Sequence, residues 1–143
     1  MINDTCHIYL IAHVVSDRLA GPVKIGITNS LGSRIATIQT GNPREVTIAF
    51  SFATPNREIA ATFERAFHEV FGAHRLKGEW FDIPPAAALE GMVANIRSGL
   101  KHFLGDDEAL MRDALSFCGV GEAETLLDGI QAEVARQAGV TVQ

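Results

Sequence analysis

Cysteine is too scarce here for a disulfide framework. Cys6 and Cys118 are the only two, they lie far apart, and neither has a partner at CxxC or metal-ligand spacing, so both are expected as free thiols of a reducing compartment. Long apolar runs are missing as well. The longest, such as Ile8 to Val15, are broken by His13 and fall far short of the ~20 residues a bilayer span needs. Met1-Ile2-Asn3-Asp4 carries no cationic region and no apolar core of a signal peptide, which makes the expected address cytoplasmic. The 5 prolines and 13 glycines are scattered through the chain, which excludes collagen, linker and low-complexity compositions. Basic residues are also few: 12 Lys+Arg against 17 Asp+Glu, a net charge of -5, exclude a protein that coats nucleic acid by bulk electrostatics. The deficit is uneven. Residues 1 to 80 carry 8 Lys+Arg against 7 Asp+Glu, and residues 81 to 143 carry 4 against 10. Any anion-binding surface therefore belongs to the first part.

What is present fits one soluble globular domain: 143 residues, 47% apolar and 20% charged, enough to bury a sizeable core. His7 to Val15 is rich in β-branched and aromatic residues and reads as a strand ending at Ser16-Asp17. Val23 to Thr28 alternates as a second strand, joined by a short link containing Gly21-Pro22, so an antiparallel hairpin is the economical connection. Gly26 inside that strand signals a bulge or the close approach of a backbone or ligand. Asn29 or Ser30 caps a helix whose Leu31, Ile35 and Ile38 form one stripe, and Gly41-Asn42-Pro43 stops it. Val46 to Thr54 is a third strand, and Pro55-Asn56 opens a helix with Ile59, Phe63, Phe67, Val70 and Phe71 on one face. Arg75 to Ile83 is too apolar for a free loop, and Trp80 and Phe81 are expected to close the core over that helix. From Ala86 the pattern turns helical, with Leu89, Met92, Val93, Ile96 and Leu100 in one stripe. Two acidic helices follow, about Asp107 to Phe117 and Glu122 to Gln137, with Gly119 and Gly121 between them. They read as a solvated cap or a dimerisation element.

The order β-β-α-β-α followed by helices predicts an α+β protein with a small antiparallel sheet beside helices. Tyr9 and Lys24 fall on the paired strands, Arg34 on the first helix next to its apolar stripe, and Glu64 and His68 at i and i+4 on the second. A phenol, an ammonium, a guanidinium, a carboxylate and an imidazole can thus converge. Each also has a plainer reading: Tyr9 as a core tyrosine, His68 as a packing histidine, Glu64 with Arg65 and Glu69 as a solvated helix face, and Arg34 as a structural partner of Glu64. The five histidines show no zinc spacing among them.

Six phrases in order carry a resemblance: Ile8-Tyr9-Leu10, Val23-Lys24-Ile25-Gly26-Ile27-Thr28, Ser33-Arg34-Ile35, Gln39-Thr40-Gly41-Asn42-Pro43, Glu64 to His68, and Gly78-Glu79-Trp80-Phe81. Together they resemble the GIY-YIG nuclease superfamily, and more narrowly its phage and bacterial branch related to a phage T5 open-reading-frame domain, in which Lys-Ile-Gly replaces Tyr-Ile-Gly. The resemblance covers about residues 7 to 85. It implies a nuclease domain over 1–85, a three-stranded antiparallel sheet flanked by helices, and leaves the acidic tail unexplained; the helical pattern and charge of 86–143 predict an acidic helical extension packed on that domain as one unit. It further implies a DNA endonuclease in which Glu64 binds Mg²⁺ or Mn²⁺, Arg34 holds the scissile phosphate and Tyr9 assists the attacking water. The second-strand tyrosine of the superfamily is Lys24 here, so proton abstraction falls to Tyr9 or His68, with Lys24 on phosphate. The superfamily's usual asparagine after the glutamate is absent, and Arg75 or Lys77 is expected to supply that phosphate contact.

A phosphodiester cleavage builds charge on the phosphoryl oxygens that a hard cation and a guanidinium stabilise, and Mg²⁺ often needs only one or two protein carboxylates. The competing reading is a domain of the same type that binds nucleic acid or a protein without turnover. No zinc finger or helix-turn-helix signature specifies a DNA sequence. Cleavage of both strands needs two sites, which a homodimer through the C-terminal helices would supply.

Overall fold

A computed structural model describes residues 4–139; the signal-peptide reading of Met1 to Asn3 and the last four residues of the expected extension lie outside them. The central element is β1 (Cys6–Val15), flanked by β2 (Arg18–Thr28) on one side and β3 (Val46–Thr54) on the other, all antiparallel. Both of its faces are covered. Ile8, Leu10 and Ala12 enter the main core, whereas Tyr9 and Ile11 enter a smaller cluster on the opposite face, which is why this strand reads as an unbroken apolar run. Helix α1 (Leu31–Thr40) covers the smaller cluster through Leu31, Ile35 and Ile38. Helices α2 (Arg57–Val70) and α3 (Pro85–Leu104) cover the other face, backed by α4 (Glu108–Cys118) and α5 (Val120–Gln137). The architecture is α+β with a C-terminal helical part, as the pattern of elements predicts.

Local chemistry explains the boundaries. The Asn56 side chain accepts from the Ile59 amide at 2.9 Å and starts α2, and Asp107 does the same for Leu110 at 3.1 Å in α4. Gly119, at φ 87°, ends α4 and opens α5 in a left-handed conformation that costs glycine little. Gly121, expected in that break, lies within α5.

Three details differ from expectation. The hairpin closes at Ser16 and Asp17, both at positive φ as a two-residue turn requires, and Gly21-Pro22 lies inside β2. The ladder shifts register there, opposite Ala12, so the missing N–H of Pro22 falls where pairing is already interrupted. A second shift, between Leu10 and Ile11 against β3, turns Val46 and Ile48 towards α1 while Phe50 and Phe52 face the main core. Lastly, the sheet gains a short fourth strand, β4 (Trp80–Phe81), beyond the three expected, in the order β3-β1-β2-β4. It separates the two aromatics: Phe81 is buried beside Phe71, and Trp80 sits half-buried on the opposite face, stacked on His13 at 5.1 Å.

On α2, Ala60, Phe63 and Phe67 are buried, whereas Ile59 and Val70 at the margins of the expected face are exposed. Helix α3 contributes Ala88, Leu89, Met92, Val93 and Ile96 to the same core as the strands. No helix among the described residues is long and apolar enough to cross a membrane. Phe67 lies fully buried between α2 and the sheet, so Phe67→Ala is expected to lower the unfolding free energy by about 3–5 kcal/mol, read from urea denaturation midpoints at constant slope.

Candidate functional site

The candidate site gathers where β2 meets α1, α2 and the segment before β4. Its starting point is the pairing of Tyr9 with Gly26 across the β1–β2 ladder. A Cβ at position 26 would lie 2.3 Å from Tyr9 Oη and 2.4 Å from Glu79 Oε2. Glycine is required there because a phenol and a carboxylate occupy the space of its missing side chain. The close approach expected at Gly26 is thus made by two side chains, and one of them, Glu79, is not among the site residues expected from sequence.

Arg34 reaches Tyr9 from α1, its Nε donating to Tyr9 Oη at 3.2 Å. The bond raises the guanidinium pKa further and leaves its terminal nitrogens free to donate elsewhere. The structural pair of Arg34 with Glu64 does not form: the ion pairs among the described residues are Arg97 with Glu124 and Arg136 with Glu133. Burial raises the Tyr9 pKa above its ordinary value of 10, the Glu79 charge adds to this, and the Arg34 hydrogen bond opposes it. Tyr9 therefore keeps its proton at neutral pH, and its hydroxyl oxygen accepts from Arg34. Lys24 extends over the Trp80 ring, Nζ 5.5 Å from the centroid. Desolvation lowers its pKa and Glu79 counters that shift.

Helix α2 supplies the next two groups. Glu64 and His68 share one face of the helix, next to the buried Phe63 and Phe67. His68 Nε2 lies 2.9 Å from the Ile25 carbonyl, and its ring packs against Phe81 at 5.2 Å. Burial raises the Glu64 carboxyl pKa and the Glu79 charge raises it further, with His68, Arg57 and Arg65 opposing. Glu64, His68 and Glu79 each place one ligand atom within 4.8 Å of the others. Glu79 Oε2 is buried with no hydrogen-bond partner among the described residues, which suits a cation there.

Arg75 and Lys77 are not brought into this cluster. Both are exposed in the turn before β4, where Arg75 Nε is held by the Gly78 carbonyl at 2.7 Å. The turn serves a different end: Ile25 N–H donates to the Glu79 carbonyl at 3.1 Å, fixing the backbone of Glu79 against β2. The sequence signal for Glu79 is its place as the one carboxylate between Arg75 and Phe81. Nothing in the local pattern points it at Gly26, because that approach depends on the pairing of β4 with β2.

Fold and site together define a small α+β domain with a tyrosine, an arginine and acidic groups gathered around the β1–β2 pairing at Gly26. The T5orf172 domain family matches residues 6–97, more than half of the chain, and the chain belongs to that family. No curated protein and no solved structure matches it.

Two measurements bear on this geometry. Tyr9 is the sole tyrosine, so ultraviolet absorbance reports its ionisation directly; the midpoint is expected above 10 and higher still in Arg34→Met, which removes the opposing hydrogen bond. Because the folded state holds this proton more tightly than the unfolded chain, the stability contribution is complete below pH 10 and is lost as pH rises through the folded pKa. Gly26→Ala is expected to cost about 1–3 kcal/mol through overpacking against Tyr9 and Glu79, measured as a fall in the urea midpoint.

Proposed function

We propose that this protein is a metal-dependent endonuclease of the GIY-YIG type, acting on DNA phosphodiester bonds. The observation that carries the reading is the convergence at Gly26: Arg34 bonded to Tyr9, with Glu79 against the same glycine and Glu64 within reach of Glu79. Family membership and the resemblance of the Tyr9, Lys24-Ile25-Gly26, Arg34 and Glu64 phrases to that superfamily support it.

In this reading Glu64 holds Mg²⁺ or Mn²⁺, and the donor set fits, since the half-buried carboxylate has a second, unpartnered carboxylate oxygen beside it. Such a cation, when bound, lowers the pKa of water and offsets charge on the phosphoryl oxygens. Arg34 directs its free terminal N–H groups to the scissile phosphate, where a guanidinium pairs with two oxygens at once. The Arg34 hydrogen bond orients the Tyr9 hydroxyl, whose own proton donates to a phosphate oxygen, while the proton of the attacking water, made acidic by the cation, would leave to solvent. Lys24, held over Trp80, adds a positive charge for the backbone of the same strand. His68 does not serve as the base through Nε2, which donates to the Ile25 carbonyl; only its other ring nitrogen keeps a lone pair. Arg75 and Lys77, exposed on the turn that carries Glu79, contact phosphates farther along the DNA.

Supercoiled plasmid incubated with Mg²⁺, Mn²⁺ or EDTA tests this. Wild type is expected to produce nicked plasmid only with metal, Glu64→Ala to lose that activity, and Arg34→Ala to reduce it by about 10²- to 10³-fold. Conversion that persists in Glu64→Ala would remove the assignment. Salt-dependent DNA binding without conversion by any of these proteins would replace the nuclease by a binding domain.

A further inference from the structure

We infer that Glu64, His68 and Glu79 form a three-ligand site that holds a first-row transition ion, Mn²⁺ through Zn²⁺, in preference to Mg²⁺. The inference rests on the same assignment of Glu64 to a metal and adds the two ligands that decide which metal it is. A carboxylate alone does not discriminate against Mg²⁺, which takes oxygen donors and keeps its waters; an imidazole nitrogen in the set does.

The geometry supplies that nitrogen in a usable form. A carbonyl only accepts, so the 2.9 Å contact with Ile25 places the proton on His68 Nε2 and leaves the lone pair on Nδ1. Proteins commonly orient ligand imidazoles through this kind of bond from the distal ring nitrogen. The same residue fixes the third ligand, because the Ile25 amide donates to the Glu79 carbonyl at 3.1 Å. Ile25, itself fully buried on β2, therefore holds both His68 and Glu79 by its two backbone groups. All three ligands are half-buried, and each places one donor atom within 4.8 Å of the others.

Glu79 supplies the second, independent observation. Its Oε2 is buried and unpartnered, and neither Lys24 nor Arg34, the cations whose charges it influences, forms an ion pair with it. A carboxylate oxygen shielded from water in this way requires a cation or a proton, and the presence of a His68 ring nitrogen within 4.8 Å in the same group makes a shared cation the common answer for both residues. Among the three, His68 is thus a metal ligand and Glu79 the group that completes the site.

The full chain, stripped of metal with a chelator, is titrated calorimetrically with Mn²⁺, Zn²⁺ and Mg²⁺, and the Mn²⁺ form is studied by pulsed electron paramagnetic resonance. Expected are one ion per chain, Mn²⁺ and Zn²⁺ binding at least about tenfold more tightly than Mg²⁺, and coupling of Mn²⁺ to one imidazole nitrogen. His68→Ala is expected to lose the nitrogen coupling. Glu79→Gln, which keeps the shape of the side chain, is expected to weaken Mn²⁺ binding by about tenfold or more, with circular dichroism confirming an unchanged fold. Equal affinity for Mg²⁺ and Mn²⁺, no nitrogen coupling in wild type, or a Glu79→Gln variant that binds Mn²⁺ like wild type would overturn the inference. The two readings fail separately: binding as expected with intact plasmid sustains the site and removes the nuclease, whereas Glu64-dependent cleavage with Glu79→Gln binding unchanged does the reverse.

Discussion

Tyr9 and Gly26 face each other across the β1–β2 ladder, and the space left by the absent Cβ of Gly26 admits the phenol and the Glu79 carboxylate to the same point. The rest of the site depends on that contact. It brings the Tyr9 hydroxyl within reach of Arg34 from α1, and it lets the turn before β4 deliver Glu79 to the face of α2 that carries Glu64 and His68. Strand β1 and the turn before β4 bring two polar side chains to one position because the residue there has no side chain to keep them apart.

The electrostatics follow from how deeply these groups sit. Desolvation is the largest influence on Tyr9, Lys24 and Glu64, raising the two acids and lowering the amine, so burial disfavours the charged form of each. Most polar side chains in so small a domain stay in water and escape this cost. Here the Glu79 charge also disfavours the ionised form of Glu64, an arrangement that a cation relieves. Groups held at such a cost are characteristic of sites selected for chemistry or binding.

Much of the framework was legible in the residue pattern. Val46 to Thr54 is β3 over the same range, Asn56 caps α2 where Pro55-Asn56 announced it, and Tyr9, Lys24, Arg34, Glu64 and His68 all surround the Gly26 region. These features are encoded locally, in β-branched alternation, capping side chains and 3.6-residue spacing. The two register shifts were not legible, because a bulge reflects how two strands fit together and leaves little trace in either one. Nor was the partition of Trp80 and Phe81 between the faces of the sheet: two adjacent aromatics suit a core segment equally well until pairing with Val23 and Lys24 makes the segment a strand.

By itself the sequence determined the order of the three long strands and the helices, the glycine at 26 and the pairing of Glu64 with His68 on one helical face, since each needs only short-range spacing. Tertiary structure alone decided that Glu79 joins them, that Arg34 bonds Tyr9 instead of Glu64, and that Arg75 and Lys77 stay outside. Those outcomes turn on distances between residues far apart in the chain, and such distances exist only once β2 has aligned with β1 on one side and β4 on the other.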